Sequence, residues 1–125
     1  MIFVTAAIIT NEDKILITQR SQTDKLSLKW EFPGGKIEEG ETPEACLKRE
    51  IMEELNLNID VLECMGSTVY KYKTGEINLI AYKAIIMSGE IKLNVHNDAR
   101  WVTADELKSY DFAPADIELI KLIDF

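Results

Sequence analysis

The sequence predicts an α/β domain with helices packed on a mixed β-sheet, and three patterns carry that expectation. Short β-branched runs separated by a turn open the chain, IFVTAAII and KILITQR around NEDK. A capped amphipathic segment begins at Thr42-Pro43. Two longer strand-like stretches follow, and then a second amphipathic segment near the C-terminus. Strands in the middle with helices on them give a layered sandwich.

The elements follow in order. The two opening runs read as strands joined by a tight turn, and LKWEF reads as another extended piece. PGGKIEEGE is a glycine-rich acidic loop by composition. The helix that starts near Pro43 draws its buried stripe from Leu47, Ile51 and Leu55, spaced by four, and Asn56 is its stop because asparagine tolerates left-handed geometry. Ile59 to Tyr72 and Glu76 to Met87 read as strands about a turn at Lys73, Thr74 and Gly75. A short strand is expected around Arg100 to Val102, then a short helix after the capping-box pattern Thr103-Ala104-Asp105-Glu106. Pro114 to Ile123 reads as a C-terminal amphipathic helix.

Composition bounds the function. A chain of 125 residues, 46% hydrophobic, forms one domain (1–125) able to bury a core without metal or disulfide staples. IFVTAAIIT lacks a basic leader and is too short to span a bilayer, so it reads as a first strand and no membrane association is expected. Cys46 and Cys64 lack CxxC spacing; neither a disulfide framework nor a zinc knuckle is indicated, and a cytoplasmic location is expected. With 14 basic against 22 acidic residues and a formal charge of -8, the chain is not expected to bind nucleic-acid polymers. An anionic ligand needs added positive charge.

REIMEEL, Arg49 to Leu55, shows where that charge enters. As a helix it sets Glu50, Glu53 and Glu54 three and four residues apart, so like charges crowd neighbouring turns. Most glutamate-rich helix faces are simply solvated. Facing a glycine-rich loop that offers backbone carbonyls and Glu41, however, the three carboxylates suit an all-oxygen site for Mg²⁺, with Mn²⁺ as a substitute. Such an ion cancels the repulsion and bridges acidic side chains to a polyphosphate. Water deprotonated by a glutamate can then attack phosphorus, with no side-chain nucleophile.

Gly35, five residues, Glu41, seven residues, then Arg49-Glu50-Ile51-Met52-Glu53-Glu54-Leu55-Asn56-Leu57 resembles the Nudix box, G-x5-E-x7-R-E-U-x-E-E-x-G-U, with U apolar. WEFPGGKIEEGE and FAPAD resemble the MutT and CTP pyrophosphohydrolase branch of that family. The resemblance implies the Nudix α/β/α sandwich with a mixed sheet and Mg²⁺-dependent hydrolysis of a nucleoside diphosphate linked to another group; the expected reaction is that of a nucleoside triphosphate giving a monophosphate and pyrophosphate. One position departs, since Asn56 stands where the box has its final glycine; asparagine is the side chain best able to replace it at positive φ.

Carried over position by position, the resemblance implies metal ligation by Glu50, Glu53, Glu54 and the Gly34 carbonyl. It implies that Arg49 orients a catalytic glutamate and ties the loop to the helix through Glu41. Glu50 or Glu53 is expected to act as the general base, with Asp98 of VHNDAR as an auxiliary acid. Phe32 and Tyr72 fall near the base pocket, although aromatic residues on strands are commonly core. Arg20 ends the second strand, as a surface ion pair or as a bidentate clamp on phosphate, and Lys36 is a loop charge, solvated or bound to substrate. The single histidine, His96, takes no role.

Asp116 of FAPAD is either an acid placed favourably at a helix start or the residue that reads the base. As a carboxylate it accepts from cytosine N4 or from the N1 and N2 hydrogens of guanine; protonated, it also donates. Two substrate readings follow: CTP, dCTP or modified cytosine nucleotides, favoured by the APAD form, and 8-oxo-dGTP. Dinucleotide polyphosphates and nucleotide sugars are less suited to 125 residues. Outside that reaction class stand a non-catalytic nucleotide-sensing module and an acidic interaction domain. The expected partner is a small-molecule nucleotide, the expected assembly a monomer or homodimer.

Overall fold

The computed structural model describes residues 1–125. Strands β1 (Ile2–Asn11) and β2 (Lys14–Gln19) form the opening hairpin, followed by β3 (Trp30–Glu31), β4 (Gly34–Lys36) and helix α1 (Pro43–Leu55). Then come β5 (Asn58–Tyr72), β6 (Gly75–Ser88), β7 (Asp98–Thr103), a 3₁₀ turn (Asp105–Ser109) and α2 (Pro114–Leu122).

β1 is the pivot of the sheet. It runs parallel to β6, from Ile2↔Ile77 to Ile9↔Ala84, and antiparallel to β4 on its other side. Its end turns into β2 with Thr10 opposite Ile15, and β2 in turn pairs antiparallel with β3 and β7. The sheet is therefore mixed, in the order β3-β2-β1-β6-β5 with β4 and β7 off that path. Because side chains alternate along a strand, Ala6 and Ile8 fall in one core cluster and Ala7 and Ile9 in the other. Both faces of β1 are thus covered. Leu47, Ile51 and Leu55 of α1 pack with Ala7, Ile9, Leu16 and Ile59, while Ala115 and Leu119 of α2 pack with Ala6, Ile8, Ile15 and Ile17. The result is the α/β/α sandwich, and each fully buried leucine or isoleucine of α1 contributes about 1.5–3 kcal/mol.

The ends of α1 are set locally. Thr42 accepts the Ala45 N–H on its side-chain oxygen at 3.1 Å, Pro43 occupies the first turn, and Asn56 takes φ 60° and ψ 33° while donating its N–H to the Met52 carbonyl. The expected stop is the observed one, and the glycine missing from the box is replaced by an asparagine in the same left-handed geometry.

One expectation is corrected. Within the stretch read as a glycine-rich loop, Gly34 to Lys36 is a strand, paired with Val4 to Ala6 of β1. Composition concealed it because glycine is depleted from strands; here its use is steric, since a Cβ on Gly34 would fall on the Thr5 carbonyl oxygen. The capping-box acid does act at its turn: Glu106 accepts from the Thr103 N–H at 2.9 Å and from its hydroxyl at 3.0 Å. No helix is long and apolar enough to cross a membrane.

Candidate active site

A cleft of about 680 Å³ lies where β3, β4, the end of β2 and the start of α2 meet. Its lining brings together Arg20, Phe32, Gly34, Lys36, Glu50, Glu54, Tyr72 and Asp116. These residues span most of the chain, and the sheet order makes them neighbours. Arg49, Glu53, Glu41 and Asp98 lie outside the lining.

At one end of the cleft, Arg49 organises the acids. Its Nε donates to Glu41 Oε2 at 2.7 Å and its Nη2 to Glu41 Oε1 at 2.9 Å, a two-bond fork. Nη1 donates to Glu50 Oε1 at 2.8 Å and Nη2 to the Lys36 carbonyl at 3.3 Å. The hydrogen bonds from Arg49 hold Glu41 at about 2, well below the ordinary carboxylate range, and the Arg49 guanidinium is correspondingly raised. Glu53 is 61% exposed and lies 3.5 Å from Arg49 Nη1. With two of the helix acids drawn to one guanidinium, no three side chains close into a chelating cage by themselves.

Glu54 differs from its neighbours. Burial first, then the charges of Glu31 and Glu50, push its carboxyl up to about 8, and its Oε1 is buried without a hydrogen-bond partner. Nearby backbone is arranged for oxygen donation. The bonds Ala7 N–H to Pro33 and Ile37 N–H to Phe3 fix the ladder parity, so Gly35 exchanges bonds with Thr5 while the Gly34 carbonyl turns away from β1. A Cβ on Gly35 would strike the Glu50 carboxylate, which packs directly on β4. A buried orphan carboxylate oxygen, a second acid beside it and a free carbonyl fit a hard divalent cation.

At the other end sits Asp116, buried, with Oδ1 accepting the Phe32 backbone N–H at 3.0 Å. Burial, and secondarily the Glu31 charge, raise it to about 8, which favours the protonated form, able to donate as well as accept. The Tyr72 hydroxyl accepts the Ala115 N–H at 3.1 Å, and burial raises its pKa. Phe32 lies against Phe112 and Phe125 with centroids 5.5 and 6.0 Å apart.

Arg20 faces the cleft but is engaged. Nε and Nη2 donate to the two oxygens of Asp24 at 2.8 and 3.1 Å, and Nη1 donates to Glu31 Oε1 at 2.7 Å. Glu31 and Asp24 were not singled out from the sequence, yet both line the cleft, as do Lys25 and Lys73. The signal for Glu31 was available: a charged residue between Trp30 and Phe32, both buried, is the one side chain of that strand left to face the other way. Asp98, expected as an auxiliary acid, accepts from the Ala99 N–H at 2.8 Å and from Arg100 Nε at 3.2 Å, so both its carboxyl oxygens are engaged within β7.

Comparison with known proteins adds the following. The family model described as NUDIX domain matches residues 2–123. The chain is 38% identical over 122 residues to the CTP pyrophosphohydrolase of Escherichia coli, covering 97% of this chain and 90% of that protein. It is 37% identical over 116 residues to the putative 8-oxo-dGTP diphosphatase 2 of Mycobacterium tuberculosis, covering 90% and 81%. The solution structure of the E. coli ORF135 protein superposes with a TM-score of 0.85 at 35% identity, covering 98% of this chain and 87% of that one. These named relatives are hydrolases and lend no support to a non-catalytic sensor.

Proposed function

From the premise that the chain belongs to the Nudix hydrolase family, we propose that it hydrolyses a free (d)NTP to (d)NMP and pyrophosphate with Mg²⁺, preferring CTP, dCTP or a modified cytosine nucleotide. The observation that carries this reading is one cleft with a buried Asp116 at one end and an unpaired, buried Glu54 oxygen at the other.

Glu50, Glu53, Glu54 and the Gly34 carbonyl would hold the cation, which supplies charge neutralisation for the phosphate chain and the transition state. Arg49 keeps Glu50 aligned and the loop closed through Glu41. Glu50 or Glu53 takes the proton from the attacking water. The water oxygen forms the new bond to phosphorus, one bridging P–O bond breaks, and pyrophosphate leaves with the electron pair. Arg20 and Lys36 bind phosphate oxygens, and Phe32 and Tyr72 flank the base. A protonated carboxyl pairs with cytosine by accepting from N4 and donating to N3.

The same carboxyl matches the N1–H and O6 edge of a guanine, and one relative is named for 8-oxo-dGTP, so 8-oxo-dGTP is the second reading. A pyrophosphate-release screen over unmodified, oxidised and methylated (d)NTPs in Mg²⁺ or Mn²⁺ tests both. The expected result is stoichiometric pyrophosphate with a cytosine nucleotide as the best substrate. Highest kcat/KM for 8-oxo-dGTP selects the second reading, and no pyrophosphate from any nucleotide overturns both.

A further inference from the structure

The chain's single histidine, outside the cleft lining, contacts one of the lining residues. His96 keeps only 4% of its side chain exposed, and its Nε2 lies 2.9 Å from Glu31 Oε2. A carboxylate only accepts, so Nε2 carries the proton and donates. The other ring nitrogen, Nδ1, is buried with no partner. Burying an unpaired polar atom disfavours folding, so a residue serving only to fill this space would be better apolar. What histidine supplies here is the single bond to Glu31.

Glu31 is the hub of this region. Its second oxygen takes Arg20 Nη1 at 2.7 Å, its side chain is 16% exposed, and its charge raises both Asp116 and Glu54. It lines the cleft together with Arg20, and its charge reaches the acids at both ends. The segment carrying His96 is fixed on both sides. Lys92 N–H donates to the Leu55 carbonyl at 2.9 Å, and Asn94 donates from its N–H to Glu54 at 3.1 Å and from Nδ2 to the Glu53 carbonyl at 2.8 Å. Asn97 donates from its N–H to the Gln19 carbonyl at 2.9 Å and from Nδ2 to Gln19 Oε1 at 2.7 Å.

We propose that His96 is a positioning residue: through Nε2 it holds the Glu31 carboxylate, and with it Arg20, in the orientation that receives the nucleotide. The inference rests on the nucleotide-hydrolase reading. Arg20 would contact substrate equally before and during reaction, so loss of the His96 bond acts on KM and leaves kcat nearly unchanged.

The test compares H96L, H96Q, E31Q and the double variant H96L/E31Q on whichever (d)NTP the wild-type protein cleaves best. H96L fills the volume without a donor, and H96Q restores a donor at the position of Nε2. The expected outcome is a KM raised about tenfold or more in H96L, near wild-type KM in H96Q, and no further rise when H96L is added to E31Q. A crystal structure of H96L should show the Glu31 carboxylate and Arg20 displaced. Unchanged KM in H96L, equal defects in H96L and H96Q, additivity with E31Q, or an unmoved Glu31 each overturn the proposal. A wild-type protein inert on all nucleotides defeats the proposed function instead, and the H96L structure still decides whether His96 positions Glu31.

Discussion

Asp116 Oδ1 receives the backbone N–H of Phe32 at 3.0 Å, across 84 positions of sequence, and so joins the first turn of α2 to the link between β3 and β4 that lines the cleft. The bond uses one lone pair of Oδ1 and leaves the other, together with Oδ2, to a ligand. In D116A, kcat/KM for the preferred nucleotide should fall about 10–100-fold, because base and backbone groups lose their partner. D116N, which keeps one acceptor and a donor, should retain more activity than D116A. Steady-state kinetics on the two variants checks the order.

Removing charge from Glu53 addresses the helix acids without touching the core, since the side chain is 61% exposed. E53Q should lose at least about 10²-fold in kcat while keeping its Tm. Near-normal turnover would remove Glu53 from both roles proposed for it.

Arg49 grips Glu41 with a two-bond fork and Glu50 with a third bond. Lysine carries the charge but lacks the fork. R49K is expected to fold and to lose about 10–100-fold in kcat, a loss of alignment rather than of binding; KM within threefold of wild type would accompany it.

Glu54 links pH to stability. Its folded pKa is raised from 4.5 to about 8, so below 4.5 both states are protonated and folding carries no penalty. Between those limits the unfolded chain releases a proton that the folded one retains, and the metal-free protein loses stability as pH rises, fully so above about 8. Thermal melts in EDTA should show this decline, and E54Q should flatten it. Mg²⁺ should reverse it, by about 2.7 kcal/mol at a hundredfold excess over Kd.

At the end of α1, Asn56 sits at φ 60°. N56G should melt at or above the wild-type temperature, whereas N56V should cost about 1–2 kcal/mol from strain at a β-branched residue. Denaturant titration of both separates backbone geometry from side-chain packing.

Much of this architecture was legible because it is written in local patterns. Thr42-Pro43 and Asn56 bracket α1, and the period of Leu47, Ile51 and Leu55 fixes its inner face. What escaped is set by partners far along the chain. Gly34 to Lys36 becomes a strand only because β1 lies beside it. Glu31 becomes a hub through Arg20 and His96, the latter 65 positions away. Glu54 looks like its neighbours in sequence, and only the packed structure separates this half-buried acid, with its enclosed Oε1, from the exposed Glu53.

The residues from Lys92 to Asn97 are hydrogen-bonded to the last carbonyls of α1 and to the end of β2. A tryptic nick after Lys92 therefore would fray the final helical turn bearing Glu53 and Glu54 and, in the same event, free the imidazole that braces Glu31. Proteolysis of one exposed connector would disarm both halves of the cleft while leaving the two apolar layers intact.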